Sequence, residues 1–120
     1  MLIALIAAVG RCASPDLCPS SDELTAAVRR RDNELAAQVG NALNAEDPDS
    51  IIMVHSERIL RISHVHCDEA DASDPSSVNC AYRVSYPSST VLEVAKLRRE
   101  GQGWVIADAM AVTLSRRNVR

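Results

Sequence analysis

The hydrophobic period of this chain changes once, and that change leaves few folds open. Leu24, Ala27, Val28, Leu35, Val39, Ala42 and Leu43 recur at helical spacing, which places them mainly on one stripe of an α-helix. From Glu57 onward, β-branched residues alternate between turn signals instead, the texture of strands. The helix is also punctuated at both ends. Ser20 followed by Glu23 fits a capping box, Asp22 and Glu23 suit the positive end of the helix dipole, and Pro48 disfavours helical geometry just before it. The spacing predicts a helix from Ser20 ending near Asn44, weakened at Gly40, with Arg29, Arg30, Asp32, Asn33 and Gln38 on its solvated side.

Four strands are predicted after it: Arg58–Cys67, Val78–Tyr86, Thr90–Arg99 and Trp104–Leu114. The run Ile51–Val54 is too short for periodicity to decide between helix and strand. The connections Pro87–Ser89 and Glu100–Gly103 are short, which implies an antiparallel meander. The expected fold class is therefore α+β, with one long N-terminal helix packed on a four-stranded antiparallel sheet, because neither element can hide its apolar surface alone. Simple alternation puts Trp104, Ile106, Asp108 and Met110 on one face of the last strand, although a register bulge or a strand end would turn Asp108 to water, and puts Cys80, Tyr82, Val84 and Tyr86 on one face of the second. The third strand reads as apolar on both sides.

The aromatic residues are Trp104, Tyr82 and Tyr86, with no Phe, so small aliphatic side chains must build the core and a covalent staple gains value. Four cysteines fall into the sequence-local pairs Cys12–Cys18 and Cys67–Cys80, one of three connectivities that four allow. An even count suits an oxidising compartment. The apolar run Met1–Gly10 is too short to span a bilayer and reads as a signal peptide, although no Lys or Arg precedes it. Cys12 stands where a lipidated cysteine would, but Arg11 before it is neither small nor uncharged, which favours a periplasmic or secreted product with no integral membrane span after cleavage. Residues 11–19 form an irregular lead-in, and residues 20–120 a single α+β domain.

The helix from Ser20 to Asn44, the Cys67 and Cys80 pair across the first hairpin, and the ending Gly101-Gln-Gly-Trp-Val-Ile106 resemble small exported bacterial proteins with a cystatin-like or NTF2-like sheet. The resemblance concerns element order and implies a fold, not an activity. The chain is too short for the additional helices that close the deep pocket of the larger NTF2-like enzymes.

The formal charge of −3 gives no basic excess for a nucleic-acid partner. The densest group of ligand-type residues is His64, His66, Cys67, Asp68, Glu69 and Asp71. His64 and His66, two apart on a strand, would share a face and could hold zinc or copper. Against this, a disulfide removes the thiolate of Cys67, and the acidic residues suit a solvated hairpin loop. No nucleophile elbow, phosphate loop or zinc-protease motif is present, so no catalytic residue is assigned and no cofactor is implied. The basic runs Arg29–Arg31 and Arg116–Arg120 read as a solvated helix face and a chain terminus. The expected function is a noncatalytic binding module of the cell envelope, with a protein partner. Two alternatives stand beside it. One is a small-molecule-binding or isomerase-like protein with a helix–sheet pocket formed by Tyr82, Tyr86, Trp104 and Asp108. The other is a metal-binding protein using His64 and His66.

Overall fold

The computed structural model describes residues 18–49, 53–69, 76–101 and 103–116. Helix α1 spans Ser21–Glu46. It is followed by β1 (Arg61–Glu69), β2 (Ser77–Ser85), β3 (Ser89–Glu100) and β4 (Gly103–Arg116). The strands form one antiparallel sheet in the order β1-β2-β3-β4, and α1 packs across one face of it. Among the described residues, no helix is long and apolar enough to cross a membrane.

The capping box forms as its sequence requires. The Glu23 amide donates to Ser20 Oγ at 3.1 Å, and the Ser20 amide donates to Glu23 Oε1 at 2.8 Å, so two amides that the first helical turn leaves orphaned find acceptors. At the other end α1 runs two residues past Asn44 to Glu46, and Pro48 follows at once. The first strand begins at Arg61, later than the expected Arg58, because residues 58–60 have no regular structure. Met53 and Val54 are neither helix nor strand, and Ile51 and Ile52 lie outside the described residues, as do the leader Met1–Gly10 and Cys12. At the β3–β4 turn, Gly101 takes φ +60°, which a two-residue hairpin loop needs and a side chain resists.

The core sits between α1 and the sheet. Leu24, Ala27 and Val28 of the helix meet Val78, Cys80, Tyr82 and Val84 of β2, Ala95 and Leu97 of β3, Cys67 of β1 and Trp104 of β4. Cys67 and Cys80 face each other directly across β1 and β2 and are joined by a disulfide. Cys18 is also disulfide-bonded; Cys12, with which the sequence pairs it, is not among the described residues.

Among the described residues the register shifts at three places, at Ser63/His66, Lys96/Leu97 and Thr90/Val91, and the first two alter the faces expected of the candidate site residues. Ser63 pairs with Arg83 and His66 with Ala81, so His64 and Val65 together oppose Tyr82, and His64 takes φ 54°. On β4, Asp108 pairs with Lys96 and Ile106 with Leu97, leaving Ala107 as the extra residue. Trp104 and Ile106 stay inward, Ala109 follows them into the core, and Asp108 and Met110 turn to the face away from α1. Simple alternation, which groups Asp108 with Trp104 and Ile106, fails here, and the bulge exposes Asp108 as the alternative reading of this strand expects, since one inserted residue inverts every side chain beyond it.

Candidate functional site

The apolar stripe of α1 is buried as far as Val28 and then changes character. Arg31 lies three residues after Val28 and four after Ala27, so helical geometry aims it at the sheet with them. Beneath it is Glu93. That carboxylate occupies the inward row Val91-Glu93-Ala95-Leu97 of β3 and is buried. Arg31 Nη2 donates to Glu93 Oε2 at 2.8 Å, and Arg31 Nε donates to Asp32 Oδ1 at 3.1 Å. Tyr82, the register partner of Glu93, donates its hydroxyl to Glu93 Oε1. Tyr86, just past β2, donates its hydroxyl to Asp32 Oδ2 at 2.6 Å. A chain of polar contacts thus runs Tyr82–Glu93–Arg31–Asp32–Tyr86, from the centre of the core to the surface, tying α1 to β2 and β3.

The electrostatics follow from burial and pairing. Burial disfavours the charged guanidinium of Arg31, but hydrogen bonds and attraction from Glu93 and Asp32 outweigh it and raise its pKa above the ordinary value. Burial pushes the Tyr82 phenol up, and the hydrogen bond to Glu93 and the charge of Glu93 push it further, against a smaller opposing pull from Arg31. Tyr86 is raised likewise, by burial first and then by Asp32. Both phenols therefore hold their protons at neutral pH and serve as donors to carboxylates. That arrangement positions a helix on a sheet, and neither phenol is poised to exchange a proton near pH 7.

Beside the outer end of this chain lies an open groove of about 320 Å³, lined by Asp32, Leu35, Ala36, Val39, Ser56, Glu57, Tyr86 and Ser89. Its far wall is the irregular segment 53–60, fastened at two points. Ser56 Oγ donates to Asn33 Oδ1 of α1 at 2.6 Å. Glu57 accepts from the Ser88 amide at 3.1 Å and from the Ser88 hydroxyl. The helical wall is apolar and open to solvent, with Leu35 51% and Val39 49% exposed. These two were expected on the buried stripe; the polar pair Arg31–Glu93 takes over the contact with the sheet at that turn.

The residues expected to form one pocket are separated. Tyr82 is fully buried in a packed core, whereas Tyr86 reaches the groove. Trp104 lies beside the N-terminal half of α1, in a cleft of about 230 Å³ with Glu23, Ala26, Ala27, Arg30 and Gly103. Its ring is covered by Arg99, whose guanidinium carbon is 5.2 Å from the ring centre, and its indole Nε1 has no hydrogen-bond partner among the described residues. Asp108 is exposed on the opposite face of the sheet.

His64 and His66 are both exposed, and the bulge between Ser63 and His66 interrupts the alternation on which a shared face rests. His64 Nδ1 is 3.2 Å from Ser63 Oγ. Cys67 is held in its disulfide, and Asp71 lies outside the described residues. Among the described residues, no three His, Cys, Asp or Glu side chains form a group that could hold a metal ion.

Sequence reasoning missed Arg31, Asp32 and Glu93. The signal for Arg31 is its place in the spacing Leu24-Val28-Arg31-Leu35, and the signal for Glu93 is its place between Val91 and Ala95 in an apolar row. No protein-family model matches the chain, and no curated protein and no solved structure matches it either.

Proposed function

We propose that this protein is a noncatalytic binding module that works in an oxidising compartment of the cell envelope, and that the groove beside the C-terminal half of α1 is its working surface. The observation that carries this reading is the contrast between a saturated interior and an unsaturated groove. The interior phenols and carboxylates already satisfy one another along Tyr82–Glu93–Arg31–Asp32–Tyr86. Leu35 and Val39, by comparison, expose apolar area beside a fastened wall, the kind of surface that marks an interaction site. The Cys67–Cys80 bridge supports the compartment. Helix first and meander second is also the element order of cystatin-like and NTF2-like proteins, a fold-level analogy that supports a scaffold and no particular activity.

Photo-crosslinking tests this. A photoreactive residue at Val39 of the full oxidised chain, expressed in its host envelope, is expected to yield one discrete protein adduct that Leu35→Ser abolishes. Absence of any adduct, together with turnover of a small substrate that Asp32→Asn eliminates, would transfer the groove to the small-molecule reading.

A further inference from the structure

The groove's apolar wall carries a charge pattern that selects its occupant. From Asp32 to Glu57 the chain contains Asp32, Glu34, Glu46, Asp47, Asp49 and Glu57, and no Lys or Arg. Leu35, Val39 and Leu43 are exposed at intervals of four along α1, a strip about 12 Å long at 1.5 Å per residue. Asp32 precedes this strip and Glu46 follows it on the same helical face. The two charged residues lining the groove, Asp32 and Glu57, are both carboxylates. Arg31 divides one positive charge between Glu93 and Asp32, Glu34 pairs with Arg30 outside the groove lining, and Glu57, which takes its hydrogen bonds from Ser88, is followed by the exposed Arg58. The charged residues of the groove lining are thus carboxylates with no Lys or Arg among them, set around an apolar floor.

Resting on the reading of this groove as a binding surface, we infer that it receives a cationic amphipathic helix: a partner segment with apolar residues at i, i+4 and i+7 set between Lys or Arg side chains. The apolar row would lie along Leu35, Val39 and Leu43, helix against helix, while the cations meet the exposed carboxylates of Glu46 at one end and Glu57 on the opposite wall. Other occupants fit less well. A second copy docking through the same strip would bring the same carboxylates and repel. The chain's own apolar run Met1–Gly10 contains no cation. Nucleic acid carries the wrong sign of charge.

The test uses the oxidised full chain and two synthetic 14-residue helical peptides, one built from Leu and Lys and the other from Leu and Glu in the same pattern. Amide chemical shifts are followed by NMR, with the affinity read from the titration. The Leu/Lys peptide is expected to perturb residues 32–46, 53–57 and 86–89. Its affinity should fall at least about tenfold on raising salt from 0.05 to 0.5 M, because screening shortens the reach of the carboxylates. It should fall by a similar factor in Leu35→Ser/Val39→Ser, which alters only exposed side chains and leaves the melting temperature as a check on folding. The Leu/Glu peptide should not bind. Equal binding of both peptides, undiminished binding by the serine variant, or shifts confined to Val94, Met110 and Val112 on the sheet face away from α1 would overturn the inference. If the Leu/Lys peptide does not bind but the Val39 adduct still forms in the envelope, the partner is not a cationic helix and the binding-module reading stands. Loss of both ends both.

Discussion

Arg31 and Glu93 show how a single buried pair can decide where a helix rests. Their side chains are 19% and 4% exposed, so removing one partner leaves the other short of water and of charge compensation. Glu93→Ala should cost about 3 kcal/mol in urea unfolding, because it strands both the guanidinium of Arg31 and the hydroxyl of Tyr82. The double variant Arg31→Met/Glu93→Leu should recover part of that loss, since apolar replacements of similar volume need no partner. Alkaline pH supplies an independent check. Tyr82 and Tyr86 keep their protons in the folded state above the ordinary phenol value near 10, whereas the unfolded chain releases them there. Their contribution is complete below pH 10 and is lost as pH rises beyond it, by about 1.4 kcal/mol per pH unit for each tyrosine. Unfolding midpoints measured between pH 9 and 11 should fall steeply, and the Tyr82→Phe/Tyr86→Phe variant should flatten that slope. These residues were hidden in the sequence by their company. Arg31 ends a run of three arginines whose first two are exposed, and Glu93 is flanked by Leu92 and Val94, whose side chains face the other way.

At the scale of elements, the features visible in the sequence are those with local causes. Ser20 and Glu23 start α1 because the capping geometry needs only residues three apart, and Ser20→Ala should cost about 1 kcal/mol, read from urea unfolding. The hairpin ends are visible for the same reason, through Gly101 and Pro87. The bulges are not. Nothing near Ala107 marks where an extra residue falls, so alternation alone would turn Asp108 inward while a register bulge turns it to water, and the fold has the bulge; its substitution by Ala should change stability by less than about 0.5 kcal/mol. The bulge at His64 and Val65 likewise upsets the reading of His64 and His66 as a same-face pair. The disulfide depends on spacing and on register together. Cys67 and Cys80 are 13 residues apart and directly opposed, and the chain-entropy relation assigns closure of such a loop about 3 kcal/mol. The Cys67→Ala/Cys80→Ala variant should lose about that much relative to the oxidised protein in calorimetry.

At the scale of the whole molecule, stability and binding are assigned to different parts. The core, the Cys67–Cys80 bridge and the polar chain through Arg31 hold α1 on the sheet, while the strip Leu35-Val39-Leu43 projects beside a groove whose wall is fastened by Ser56 and Glu57. The most direct measurement of that division is the equilibrium unfolding free energy of Leu35→Ser/Val39→Ser. It should remain within about 1 kcal/mol of the parent protein, the small cost of replacing exposed residues in a helix. A loss above about 3 kcal/mol, the size expected for emptying a packed core, would show that the strip belongs to the folded interior and would contradict its role as a binding surface.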